Sequence, residues 1–201
     1  MSKTPVYFSF DVESRGPDLL KHGINAIGIV AFDEHGNELE AYETGIAADA
    51  GQVFDSEVKE LFWDKNPEVL KWIDANSKPG KAVVQEIVDL FDKYAEKHSV
   101  VWIAYPAPYD WALLIAFCQN VGGIDVRHFG HKATCISTLM KAYRAIGQLT
   151  PDAGFSAVGL VNENPHRPAS DARVQGQLYF KLTTKFIKTG ELVEILSNWF
   201  D

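Results

Sequence analysis

Apolar and polar residues alternate from the start of the chain. Val6, Phe8, Phe10 and Val12 fall on one side while Tyr7, Ser9, Asp11 and Glu13 fall on the other, the period-two signature of a strand with one face in a core. Ser14-Arg15-Gly16-Pro17 ends that run as a loop. Ile24 to Phe32 is almost continuously apolar, with β-branched Ile27, Ile29 and Val30. Asp33-Glu34-His35-Gly36-Asn37 and then Glu38 to Ile46 follow, which predicts a hairpin closed by a glycine-containing turn. The chain therefore opens with three consecutive antiparallel strands.

From about Ser56 the period changes. Val58, Leu61 and Phe62, then Val69, Leu70 and Ile73, then Val83, Val84, Ile87, Val88, Phe91 and Tyr94 mark three helical pieces, broken at Asn66-Pro67 and Ser77-Lys78-Pro79-Gly80. Val100 to Tyr105 has the character of a short buried strand, and Asp110 to Val121 that of a helix with Leu113, Leu114 and Phe117 on one face. A weaker strand is expected around Arg127 to Ala133, then a helix from Cys135 to Ile146. The Pro/Gly/Asn-rich stretch 147–168 holds one helical turn at Phe155 to Leu160. A long helix from Ser170 to Lys188 and a last one to about Phe200 close the chain. Without an internal repeat, strands followed by helices predict one mixed α/β domain.

Composition narrows the function classes. With 201 residues, 46% of them hydrophobic and 12% aromatic, the chain can bury a real core and is neither disordered nor collagen-like. The 27 acidic against 19 basic side chains give a net charge of −8. That argues against a protein that coats duplex DNA through bulk charge, because such binding rests on Lys and Arg neutralising phosphates. A nucleic-acid enzyme whose metals supply the positive charge stays open. Cys118 and Cys135 show no paired metal-ligand spacing and read as free thiols of a reducing compartment. The apolar run Val6 to Phe10 is too short for a secretory signal and no span reaches membrane length, so a cytoplasmic location is expected.

Four carboxylates and a histidine stand at the edges of predicted elements. Asp11 and Glu13, two apart on a strand, project from one face while Val12 points into the core. They are either the solvent face of an edge strand or a pair that needs a cation between them. Asp110 shares a helical stripe with Leu113, Leu114 and Phe117 and so faces the sheet. It is either a plain acidic helix start or a reach toward the same cation. In Asn164-Pro165-His166-Arg167-Pro168-Ala169-Ser170-Asp171, the two prolines place His166 on an ordered loop and Asp171 in the first turns of the next helix. His166 is then either a surface histidine or a reacting group.

Taken together, Phe10-Asp11-Val12-Glu13, Tyr109-Asp110, and His166 with Asp171-Ala172 resemble the three motifs of the DEDDh 3′→5′ exonucleases. That family includes RNase T, oligoribonuclease and the proofreading subunit of bacterial DNA polymerase III. The resemblance covers nearly the whole chain, in family order and spacing. Two details differ. The family usually has a His or Asn shortly before the aromatic-Asp pair where this chain has Tyr105-Pro106, and Thr-Thr-Gly where it has Ser14-Arg15-Gly16.

The resemblance implies an RNase H-like α/β fold: residues 1–201 as a single exonuclease domain with a five-stranded mixed sheet flanked by helices, and helices about 170–200 packed on the sheet. It implies hydrolysis of single-stranded RNA or DNA from a free 3′ end to 5′-nucleoside monophosphates, RNA being slightly favoured. Two divalent cations, Mg²⁺ or Mn²⁺, would assist, since hard cations prefer carboxylate oxygens. By the same resemblance Asp11 bridges both ions, Glu13 and Asp171 hold one, Asp110 holds the other, and His166 is general base for the attacking water. Ser14, Arg15, Phe62, Trp63 and Arg167 are the candidate substrate contacts, with core packing as the alternative for Trp63. No membrane partner is implied, and relatives of this size are often homodimers.

Two rival readings remain, and a third, P-loop nucleotide hydrolysis, is unsupported. His128, His131 and Cys135 have zinc-like spacing but no fourth ligand. No P-loop motif is present. A catalytically inactive nucleic-acid-binding module on the same fold is the alternative from another functional class.

Overall fold

The computed structural model describes residues 3–18, 21–49, 52–145, 147, 149, 155 and 159–189, with only the backbone of 185–189. The strands β1 (Pro5–Ser14), β2 (Ile24–Phe32) and β3 (Glu38–Ile46) form the expected antiparallel meander. β5 (Ser99–Ala104) lies parallel to β1 on its other side, and β6 (Ala133–Cys135) lies parallel to β5. A sixth strand, β4 (Ser77–Lys78), pairs parallel with the outer edge of β3, so the order is β4-β3-β2-β1-β5-β6. Five strands were expected. The extra one is a two-residue link between helices, too short to carry a periodicity, and it reads from sequence as a helix breaker.

β2 is buried along its whole length because both faces of the sheet are covered, which explains its unbroken apolar run. On one face Val6, Phe8, Phe10 and Val12 pack with α3 (Gly80–Ala95) and α4 (Ala107–Gly122). On the other, Tyr7, Val30 and Phe32 meet α6 (Pro168–Thr189) through Ala169, Ala172 and Phe180. The outer side of α6 presents Val174, Leu178 and Leu182 to α5 (Ile136–Ala145). α1 (Ser56–Leu61) is capped by Asp55, whose carboxylate accepts from the Glu57 and Val58 amides. It leads through a short 3₁₀ turn at Trp63–Lys65 into α2 (Pro67–Ala75).

Local chemistry explains where these elements differ from expectation. α4 begins at Ala107, three residues before Asp110, because Pro108 is tolerated in a first turn whose N–H groups have no intrahelical partner. It ends on Gly123 in the left-handed region, φ 68°. The strand expected over Arg127 to Ala133 divides in two. Asp125 caps a 3₁₀ turn at Val126–Phe129, accepting from the Arg127 amide at 2.9 Å, and the strand proper starts at Ala133. The expected turn at Phe155 to Leu160 lies largely outside the described residues, as does the helix expected to close the chain at Phe200.

One glycine sets how α6 meets the sheet. Gly28 on β2 pairs with Asp11 on β1 and with Glu43 on β3. A Cβ there would lie 2.2 Å from the Ala169 nitrogen and from the Pro168 carbonyl carbon, so only a glycine lets α6 start this close. Glu43 holds the same helix end, its Oε1 accepting from the Ala169 amide at 3.0 Å and its carboxylate pairing with Arg167.

Candidate active site

The parallel strands β1 and β5 end on the same side of the sheet, the place where open α/β sheets hold their ligands. Asp11 and Glu13 come from the end of β1, Asp110 from the first turn of α4 just after β5, and Asp171 from the first turns of α6. All four, with His166, line one cleft of about 360 Å³ that also takes in Phe62, Tyr105, Asn162 and Gln175. The five residues that the sequence motifs single out are therefore brought together in space.

The carboxylates are crowded and largely removed from water. Burial, then the charges of Asp171 and Asp110, push Glu13 up to about 8. Burial also pushes Asp110 up to about 7, against hydrogen bonds from the Val12 amide and its own amide. Asp11 is raised well above the usual carboxylate range by burial and by Glu13, Asp110 and Asp171, with the Gln175 amide opposing. Asp171 is raised by burial, opposed by Asn162 and by the charge and backbone N–H of His166. Such a set favours a neutralising cation.

Donor chemistry fits a hard divalent ion. Asp110 is 4% exposed, yet its Oδ2 has no hydrogen-bond partner, so a buried acceptor is left for another group to satisfy. Glu13, His166 and Asp171 offer ligand atoms within 4.8 Å of one another, and they are the only such group among the described residues. His128, His131 and Cys135 form none: His128 instead pairs with Asp92 at 2.9 Å and packs on Phe91 and Phe129.

His166 sits in a turn in which the Arg167 amide donates to the Asn164 carbonyl at 3.2 Å. Its φ of 63° is left-handed, a conformation that costs a non-glycine residue about 1–3 kcal/mol. Its N–H to Asp171 and the edge-on contact of its ring with Phe62, centroids 4.7 Å apart, hold it there. Phe62 is backed in turn by Trp63 at 4.8 Å.

The remaining sequence-based substrate contacts lie elsewhere. Arg15 is 5% exposed and points into the fold, donating to the Ile24 carbonyl at 2.6 Å and the Ile46 carbonyl at 2.7 Å. Trp63 is fully buried with Val69 and Ile73, its Nε1 donating to the Ser14 carbonyl at 3.1 Å. Arg167 stacks on Trp72 at 3.8 Å and lines a separate polar depression with Glu43 and Arg173. The Ser14 hydroxyl pairs with the Tyr109 hydroxyl at 2.9 Å and does not line the cleft. Of the five, only Phe62 does.

Two carboxamides escaped the sequence reading. Gln175 Nε2 donates to Asp11 Oδ1 at 2.9 Å. Asn162 donates to Asp171 Oδ1 while its own oxygen accepts from Ser170 Oγ at 2.7 Å and the Asn164 amide at 3.2 Å. Gln175 lies four residues after Asp171 and so shares its helical face, a spacing that could have pointed to it.

No family model matches the chain, and no curated protein matches it. Solved structures do. The chain is similar to product-bound exonuclease I, with a TM-score of 0.65 and 12% identity over 92% of this chain and 44% of that one. It is similar to zinc-bound E. coli ExoI in complex with single-stranded DNA, with a TM-score of 0.70 and 13% identity over 97% of this chain and 43% of that one. It is also similar to S. pombe Pop2p in its Mg²⁺- and Mn²⁺-bound form, with a TM-score of 0.65 and 14% identity over 92% of this chain and 84% of that one. The chain thus spans less than half the length of exonuclease I and most of the Pop2p chain. What it shares with both is the fold, the RNase H-like α/β arrangement that in this chain is a mixed six-stranded sheet flanked by helices.

Proposed function

We propose that this chain is a metal-dependent 3′→5′ exonuclease that shortens single-stranded nucleic acid and releases 5′-nucleoside monophosphates. The observation that carries the reading is the convergence of Asp11, Glu13, Asp110, Asp171 and His166 on one cleft whose carboxylates are raised by burial and by one another's charge, with no Lys or Arg among the described residues that line it. The fold supports it: a structural neighbour, E. coli ExoI, forms a complex with single-stranded DNA, and another, Pop2p, binds Mg²⁺ and Mn²⁺.

In this reading Asp11, Glu13, Asp110 and Asp171 would hold two divalent cations, Asp110 through its free Oδ2. Once bound, such ions would supply charge neutralisation and Lewis-acid activation at the terminal phosphodiester. His166 takes the proton of the attacking water, the general-base work for which imidazole is the side chain most often used. Phe62 forms an apolar wall beside His166 against which the terminal nucleotide can rest. The four carboxylates account for the acidic character of the cleft, and two cations would bring the chain halfway from −8 to neutrality.

The test is a 5′-labelled single strand, as matched RNA and DNA, incubated with Mg²⁺ or Mn²⁺. A ladder shortening from the 3′ end with mononucleotide release, lost in Asp11→Asn, is the expected result. Binding without shortening in either metal would overturn it in favour of a non-catalytic binding module.

A further inference from the structure

We infer that Gln175 is a positioning residue for the metal site, fixing the carboxylate of Asp11 so that a defined oxygen is left for the cation. The inference rests on the reading of this cleft as a metal site. Gln175 is 5% exposed, so its amide has no solvent to fall back on. Its orientation is settled by a neighbour that can only donate: the Tyr105 backbone N–H points at Oε1 at 3.0 Å, which turns Nε2 toward Asp11 Oδ1 at 2.9 Å. With Oδ1 engaged, Oδ2 is the Asp11 atom left to face a cation.

The same amide joins three ligand-bearing elements. It rides on α6 one helical turn beyond Asp171, grips Asp11 on β1, and is anchored at Tyr105, where β5 ends and the chain turns into the helix that carries Asp110. A single side chain thereby ties the spacing of Asp11, Asp110 and Asp171 together. Partners that orient metal ligands in this way are typically worth about 10- to 100-fold in metal affinity.

The experiment is a titration of the full chain with Mn²⁺ alone, reading free Mn²⁺ by electron paramagnetic resonance, with a thermal melt on each sample. Gln175→Met keeps the volume and removes both hydrogen bonds, and it is expected to weaken Mn²⁺ binding by about 10- to 100-fold. Leu178→Ala, a cavity on the same helix away from the cleft, is expected to lower Tm and leave Mn²⁺ affinity unchanged. Mn²⁺ affinity within about twofold of wild type in Gln175→Met, while Asp11→Asn loses binding, would overturn the inference and leave the metal site standing. Equal weakening in Leu178→Ala would also overturn it, by showing that loss of stability alone is enough. Unchanged binding in Asp11→Asn would bring down the metal site and this inference with it. If Gln175→Met shows no cooperative melt, Gln175→Asn, one methylene too short to span both partners, is read by the same criteria.

Discussion

Asp11 on β1 stands directly across from Gly28 on β2, and the missing side chain of Gly28 is filled by the backbone of Pro168 and Ala169 at the start of α6. The helix that carries Asp171 and Gln175 can therefore approach Asp11. A methyl group at this position meets backbone atoms that cannot swing aside. Overpacking of this kind costs about 1–3 kcal/mol, and occasionally more. Gly28→Ala is expected to lower Tm and, because α6 is pushed off the sheet, to weaken Mn²⁺ binding as well. Wild-type Mn²⁺ affinity in a folded Gly28→Ala protein would refute the claim that this contact sets the site.

The left-handed turn at His166 dictates the right variant for testing the proposed general-base role. Asparagine tolerates left-handed φ better than other side chains. His166→Asn keeps the turn at φ 63° and removes the imidazole. Turnover should fall by about 10²- to 10⁴-fold, the usual contribution of a general base. Mn²⁺ affinity should change little, since four carboxylates remain. Single-turnover cleavage and a Mn²⁺ titration measure the two separately; near-normal turnover would remove His166 from the chemistry.

The chemistry of the site was more legible in the sequence than its support. Strand alternation placed Asp11 and Glu13 on one face, and a helical stripe turned Asp110 inward, because a period survives whatever packs against it. Arg15 and Trp63 both point into the fold, a direction their place in the sequence does not carry. Arg15 lies just past the register shift of β1 between Glu13 and Ser14, so the alternation that predicts Glu13 does not reach it, and Trp63 is drawn inward by its cluster with Ala26, Val69 and Ile73. Proximity in sequence to a site then says little about direction. Gln175 and Asn162 were silent because a carboxamide neither titrates nor belongs to a metal-ligand pattern. Their role depends on partners 164 and 9 residues away in the chain, respectively.

Arg15 and Trp63 should accordingly behave as folding residues. The Arg15 guanidinium closes the open carbonyls of Ile24 and Ile46, at the start of β2 and the end of β3. Removing it leaves buried acceptors at about 1–3 kcal/mol each. Trp63→Ala opens a cavity in the cluster with Ala26, Val69 and Ile73, at a cost of about 3–5 kcal/mol. Arg15→Met and Trp63→Phe are expected to lower Tm and leave KM for a single strand unchanged. A raised KM at unchanged Tm would restore them as substrate contacts.

Protonation of the carboxylates gives the last prediction. Burial and neighbouring charge lift Glu13 from 4.5 to about 8, and burial lifts Asp110 from 3.8 to about 7. Without metal, the folded protein keeps protons that the unfolded chain has released. The stability these two groups contribute is therefore fully present below 3.8 to 4.5 and is lost as pH rises through about 7 and then about 8. A cation takes the place of those protons, so binding releases them and tightens with pH over the same window. The gain in Tm on adding Mg²⁺ over EDTA should grow steadily from mildly acidic pH to just above 8, and calorimetry in buffers of different ionisation enthalpy should register proton release. In Asp110→Asn the part of that rise centred near 7 should disappear. A Mg²⁺ increment that stays flat with pH would show that the crowding of these carboxylates is not what the metal relieves.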